Sequence, residues 1–165
     1  MHIFGITGWK NSGKTTLVVK LVTHLTQAGY KVSTIKHAHH AFDIDHPGRD
    51  SFQHREAGAT EVLVSSINRW AIIHELRNES EISLETALSK LTPVDLVLVE
   101  GYKLDKHPKL QVVRFDVNKE LMVDSIPNIV AIASDQTVNS LVPVLNLNNT
   151  AEVADFILHF FNMKK

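Results

Sequence analysis

Leucines at positions 17, 21 and 25 recur every four residues, with Val18 and Val22 beside them. That apolar stripe predicts a helix, and Gly29 supplies its stop. Ahead of it, HIFGIT (2–7) reads as a short buried strand through Ile3, Phe4 and Ile6. VDLVLVE (94–100) is almost continuously apolar, as a central parallel strand covered on both faces should be. KVSTIKH (31–37), LQVVRF (110–115), NIVAIAS (128–134) and VPVLNL (142–147) read as further strands. TEVLVSSI and RWAIIHEL are β-rich runs that predict a hairpin through Asn68. Asp50 with Gln53 resembles a capping box, opening a helix to about Ala57 that Gly58 ends. SLETALSKL predicts a short helix with Leu84, Leu88 and Leu91 on one side. A last helix from about Thr150 turns Val153, Phe156, Ile157, Phe160 and Phe161 inward. The alternation predicts one α/β domain over residues 1–165: a mostly parallel sheet flanked by helices, with an antiparallel hairpin.

Composition narrows the function classes. The charge is nearly balanced, 17 Lys+Arg against 18 Asp+Glu, and spread along the chain, which gives no basic stripe for general nucleic-acid binding. The absence of cysteine excludes disulfides and thiolate zinc sites. No basic leader with an apolar run opens the chain, and no stretch approaches the apolar length of a membrane span, so a cytoplasmic protein without membrane attachment is expected.

The chemistry starts at Gly8-Trp9-Lys10-Asn11-Ser12-Gly13-Lys14-Thr15, which fits the phosphate-loop pattern G-x-x-x-x-G-K-[ST]. Glycines let successive amide groups point into one concavity that suits an anionic phosphate. Lys14 would reach the outer phosphates, and the Thr15 hydroxyl would serve a Mg²⁺ ion. A helix beginning there adds free N–H groups and its positive end. Strand, loop and helix come in the required order.

In open α/β sheets ligands sit beyond the carboxyl ends of the strands. The run 94–99 delivers Glu100 there, a carboxylate placed to hold Mg²⁺ directly or through water. The second strand ends in KHAHHAFDIDHPGRDS, where His37, His39, His40 and His46 share a short span with Asp43 and Asp45. This span reads as a segment ordered by a γ-phosphate and Mg²⁺, with Asp43 or Asp45 in the metal shell and Arg49 on a phosphate; the alternatives are a transition-metal site or a plain polar loop. EGYKLDKHPK puts Lys103, Lys106 and Lys109 in the loop after Glu100, near an anionic ligand, with Lys103 nearest the site; the alternative for Lys106 and Lys109 is solvated surface lysines. Ser134 and Asp135 end another strand, where Asp135 is either a guanine-reading carboxylate or a turn residue.

Taken in order, GWKNSGKTTL, IKHAHHAFDIDHPGRDSF, REAGA, NRWA, LVLVEGYK and IASD resemble the molybdopterin-guanine dinucleotide biosynthesis protein B (MobB) family over nearly the whole chain. The resemblance implies a P-loop NTPase-type fold, related to the group containing the nitrogenase iron protein and dethiobiotin synthetase. It also implies a homodimer, weak GTP hydrolysis, and an accessory role in attaching GMP to molybdopterin, with the transfer itself done by a MobA-type nucleotidyltransferase. Molybdopterin or a molybdoenzyme is a further implied contact. Carried onto this chain, the nucleotide site takes in Gly8, Lys10, Asn11, Ser12, Gly13, Lys14, Thr15, Thr16, Arg49, Asp50 and Asp135. Thr15, Asp45 and Glu100 fall to Mg²⁺, Lys14 and Glu100 to catalysis, Gly48 to the second motif, and Lys103 to cofactor or partner contact. The lysine that many of the wider group carry at the second loop position is Trp9 here, with Lys10 one residue later. No arginine finger or water-orienting glutamine declares itself, which fits turnover on the order of 10⁻⁴ to 10⁻² per second. Two other functions share these features: a small-molecule kinase or ligase of the dethiobiotin-synthetase type, and a metallochaperone GTPase using the histidine-rich loop.

Overall fold

The computed structural model describes residues 1–38, 42–115 and 120–164. These form two compact units, one of residues 1–37 with 84–165 and one of residues 38–83.

The larger unit is built on a six-stranded sheet. Its strands are β1 (His2–Thr7), β2 (Val32–Lys36), β5 (Leu96–Glu100), β6 (Lys109–Val113), β7 (Ile129–Ser134) and β8 (Val144–Asn146), in the order β2-β5-β1-β6-β7-β8. Every pairing within it is parallel. β5 lies between β2 and β1, and its residues 96–99 are fully buried, which explains their unbroken apolar run. Side chains alternate between the faces. Phe4, Ile6, Leu96, Leu98, Leu110 and Val112 join the cluster under α1 (Lys14–Gln27) and α4 (Thr150–Phe160). Val97 and Val99 join the opposite cluster, covered by Leu84, Leu88 and Leu91 of the stretch containing α3 (Leu84–Ser89).

Helix α1 packs through Leu17, Leu21 and Leu25, all buried, and Gly29 at φ 86° turns the chain where a side chain would be strained. In α4 the buried residues are Val153, Ala154 and Ile157. Phe160, expected inside, is 43% exposed; its ring meets Phe4 edge-on at a centroid distance of 6.1 Å.

The smaller unit holds α2 (Asp50–Glu56) and the antiparallel pair β3 (Glu61–Ser65) and β4 (Trp70–His74). The hairpin turn is closed by the Ser66 N–H on the Arg69 carbonyl at 2.8 Å. Asp50 is the first helical residue rather than the cap: Arg49 holds the cap position in extended backbone, with no side-chain cap bond. The Ser51 hydroxyl instead donates to Asp45 at 3.0 Å.

Candidate nucleotide site

β1 runs into the phosphate loop, and the loop runs into α1. Gly8 at φ 145° and Gly13 at φ 93° take backbone conformations closed to other residues, and Asn11 sits left-handed at φ 66°. Both glycines also answer close approaches. A Cβ on Gly8 would lie 2.6 Å from the Val112 carbonyl, and one on Gly13 would lie 2.9 Å from Nε of Arg114. Gly13 caps α1 without a side-chain bond, so the first helical N–H groups stay available to a ligand. Lys10 and Asn11 are exposed, as are Thr15 and Thr16 on the first turn. Ser12 is buried, and its hydroxyl oxygen has no hydrogen-bond partner. An orphaned buried hydroxyl inside a loop of this kind fits a site that an anion completes.

Lys14 folds back on the loop and donates to the Trp9 carbonyl at 2.7 Å. Burial lowers its pKa, Glu100 opposes the shift, and Lys36 and Lys103 add to it. Thr15 Oγ1 lies 3.4 and 3.5 Å from the Glu100 carboxylate oxygens, and Lys36 Nζ lies 3.9 Å from the same carboxylate. The ends of β1, β2 and β5 therefore bring Lys14, Thr15, Glu100, Lys36 and Lys103 into one charged cluster. Thr15 and Glu100 offer hard oxygen donors of the type Mg²⁺ takes, about 3 Å apart when they share an octahedral ion, so the donor set fits it. Lys36 was not among the sequence candidates; its position at the end of a strand beside β5 is the signal that would have found it.

The Asp135 carboxylate accepts the Phe115 N–H at 3.1 Å, tying the end of β7 to the residue after Arg114. Ser134 is buried and accepts the Gln136 N–H at 3.2 Å. Lys109, expected in the loop after Glu100 as either a ligand-side or a solvated lysine, instead opens β6 and is fully buried. Its ammonium donates to the carbonyls of Asp105 and His107, in the loop before β6, at 2.7 and 2.8 Å, and to that of Pro127, just before β7, at 3.0 Å.

In the smaller unit the second-motif acids gather on Arg55. Its guanidinium meets Asp43 at 2.9 Å, Asp45 at 3.5 Å and Glu75 at 2.6 Å. The Arg55 bonds hold the Asp43 carboxyl below its ordinary value. Arg49 and Asp50 open α2, and Gly48 precedes them at φ 89°. His46 stands in this loop, while His39 and His40 lie outside the described residues. Among the described residues no group of three histidine, aspartate or glutamate side chains is arranged to hold a metal ion.

A parallel sheet with a glycine-lined loop at the carboxyl end of β1, a helix starting on it and a carboxylate ending β5 defines a P-loop-type nucleotide-binding fold. The family described as molybdopterin guanine dinucleotide synthesis protein B matches residues 3–135. Over 163 residues the chain is 36% identical to the molybdopterin-guanine dinucleotide biosynthesis adapter protein of Escherichia coli K12, covering 96% of this chain and 92% of that protein. The adapter protein of that name from Haemophilus influenzae is 36% identical over 164 residues, 97% of this chain and 91% of its own. Among solved structures, a MobB protein homologue from Bacillus stearothermophilus superposes with a TM-score of 0.74 at 25% identity, over 99% of this chain and all of that one. The chain belongs to the MobB family.

Proposed function

We infer that the chain is an adapter in molybdopterin guanine dinucleotide synthesis that works with GTP bound at its phosphate loop. The observation carrying this reading is the loop itself: an orphaned Ser12 hydroxyl, an uncapped α1 and Lys14 beside Thr15 and Glu100, in a chain 36% identical to named adapter proteins. A phosphate entering the loop would take the Lys14 ammonium from the Trp9 carbonyl and accept from the helix N–H groups. Thr15 and Glu100 would hold Mg²⁺, whose chemistry is to neutralise charge on the outer phosphates. Gly8, Lys10, Asn11, Ser12, Gly13 and Thr16 shape the phosphate cradle, and Asp135 is assigned to guanine. Arg49, Asp50 and Asp45 belong to the motif that answers the γ-phosphate, and Lys103 to cofactor or partner. Hydrolysis is slow, and the GTP-loaded chain serves a MobA-type nucleotidyltransferase in the cytoplasm; no described helix is long and apolar enough to cross a membrane.

The assembly we assign is a homodimer. Leu63, Trp70 and Ile72 share one face of the β3–β4 hairpin and are 61%, 63% and 47% exposed. A two-stranded ribbon with an uncovered apolar face is marginal alone. Sedimentation equilibrium should give twice the chain mass, and a monomer at micromolar concentration would reject the assignment. The nucleotide reading is tested by calorimetric titration of GTP and ATP, each with Mg²⁺. Preference for GTP is expected; equal binding would remove Asp135 from base recognition and favour a kinase-like function.

A further inference from the structure

Two residues in succession leave the strand end at Glu100 in left-handed backbone, Gly101 at φ 105° and Tyr102 at φ 45°. Glycine adopts this conformation freely, but it strains a tyrosine, and such strain persists only where the surroundings hold it. Here two contacts do so. The Tyr102 ring stacks on the His37 imidazole, with centroids 4.6 Å apart and planes 24° from parallel. It also packs against the cluster of Leu84, Val97 and Val99. Gly101 passes so close to His37 that a Cβ on it would run into the His37 Cβ. The His37 N–H donates to the Glu100 carbonyl at 2.8 Å, carrying the β2–β5 pairing one bond past Lys36. One backbone bond and one ring stack thus clasp the two strand ends together, directly at the carboxylate that meets Thr15. With its side chain 15% exposed, Glu100 has little room to re-aim when the backbone beneath it shifts.

We propose that Tyr102 is a positioning residue for the divalent ion: its ring, stacked on His37, fixes the turn after β5 and so the aim of the Glu100 carboxylate at the first turn of α1. The proposal rests on the nucleotide reading above, in which Thr15 and Glu100 hold Mg²⁺, and adds the group that sets the carboxylate. Disturbing the support behind a metal ligand typically costs about 10–100-fold in metal affinity. The phosphate cradle has separate supports, in Gly8, Gly13 and the start of α1. Loosening Tyr102 therefore weakens the ion and spares the phosphates.

The test measures GTP affinity by calorimetry across a Mg²⁺ series and in excess EDTA, on the wild-type chain, Tyr102→Leu and Tyr102→Phe. Leucine keeps an apolar side chain for the cluster and removes the stack; phenylalanine keeps the ring. Melting curves establish that each variant is folded at the assay temperature. The Mg²⁺ midpoint should move roughly tenfold higher in Tyr102→Leu and stay within about twofold of wild type in Tyr102→Phe. His37→Leu removes the same stack from its other half and should shift the midpoint as Tyr102→Leu does. GTP affinity in EDTA should be the same in every variant. A loss in EDTA as large as the loss with Mg²⁺ would make Tyr102 a packing residue and overturn the proposal. So would an unmoved midpoint in Tyr102→Leu, or a phenylalanine variant as weak as the leucine one. A wild-type chain that bound GTP with no effect of Mg²⁺ would remove the metal reading and the proposal together. One that bound no GTP at all would remove the phosphate-loop reading beneath both.

Discussion

The strand-end cluster around Lys14 and the crossing loop before β6 each hold a lysine whose pKa burial lowers, and they use it in opposite ways. An ammonium has three donors. Lys109 spends all three, on the carbonyls of Asp105, His107 and Pro127. Lys14 spends one, on the Trp9 carbonyl. The first is a completed structural knot, and the second is a cation left incompletely satisfied on the phosphate loop. The register explains the knot. Glu100 of β5 pairs with Ile6, and Lys109 of β6 pairs with Gly5 on the other side of β1. Residues 101–108 must therefore pass across β1 at about the level of Gly5, and the buried ammonium fastens the loop that makes the crossing.

The contrast is broken most severely at Lys109. Lys109→Ala leaves three carbonyls without their donor and should cost about 3 kcal/mol in urea unfolding. Lys109→Met restores most of the volume but not the donors, so it should recover only a minor part of that loss. Full recovery with methionine would mean that packing, not the carbonyl knot, holds the loop. Lys14→Ala should do the reverse. GTP affinity should fall about 100-fold, roughly 2.7 kcal/mol, while unfolding free energy moves by no more than about 0.5 kcal/mol. A variant that bound GTP normally would remove Lys14 from the site.

The third change sharpens the comparison through Gly5. A Cβ there would lie 2.6 Å from Nε2 of His107 and 2.7 Å from Cβ of Lys109. In an open strand, replacing glycine by alanine stabilises by about 0.5–1 kcal/mol. Here Gly5→Ala should destabilise by about 1–3 kcal/mol, since the crossing loop leaves no room. The sign of the change, read by thermal or urea unfolding, decides whether the loop seats on β1 as closely as the geometry has it.

How much of this was legible in the sequence follows the same divide. The phosphate loop was readable because its chemistry needs fixed residue types at fixed spacing, and its flanks carry clean periods: two-sided burial in β5, four-residue recurrence in α1. The mostly parallel sheet followed from those periods, and the antiparallel hairpin from two β-rich runs on either side of Asn68. The burial of Lys109 was not readable, since it depends on backbone carbonyls from two aperiodic loops, before β6 and before β7, and neither the ligand-side nor the solvated reading of this lysine anticipates them. Gly5 did hold a signal: a glycine inside a strand marks close approach of another group. The capping residue of α2 was misplaced by one position: the first helical bond, from the Gln53 N–H, goes to the Arg49 carbonyl, so Arg49 and not Asp50 holds the cap.

The last expected effect appears only as the pH falls and concerns His107, the neighbour of that knot. Both its ring nitrogens are buried without hydrogen-bond partners. Burial, with a lesser push from Lys109, lowers its pKa from 6.5 to about 4, against Asp105, which raises it. Between those values the unfolded chain binds a proton that the folded chain refuses. Folding stability should then fall as pH drops from 6.5 towards 4, with a slope below one proton's worth, about 1.4 kcal/mol per pH unit. Carboxylates begin to titrate in the same window, so the wild-type slope alone decides nothing. His107→Gln keeps a polar side chain but cannot charge, and every carboxylate is common to both proteins. The difference between their unfolding free energies at pH 7 and pH 4.5 isolates the imidazole. The glutamine variant should gain on the wild type as the pH falls; a constant difference would mean that His107 is protonated as readily in the fold as outside it.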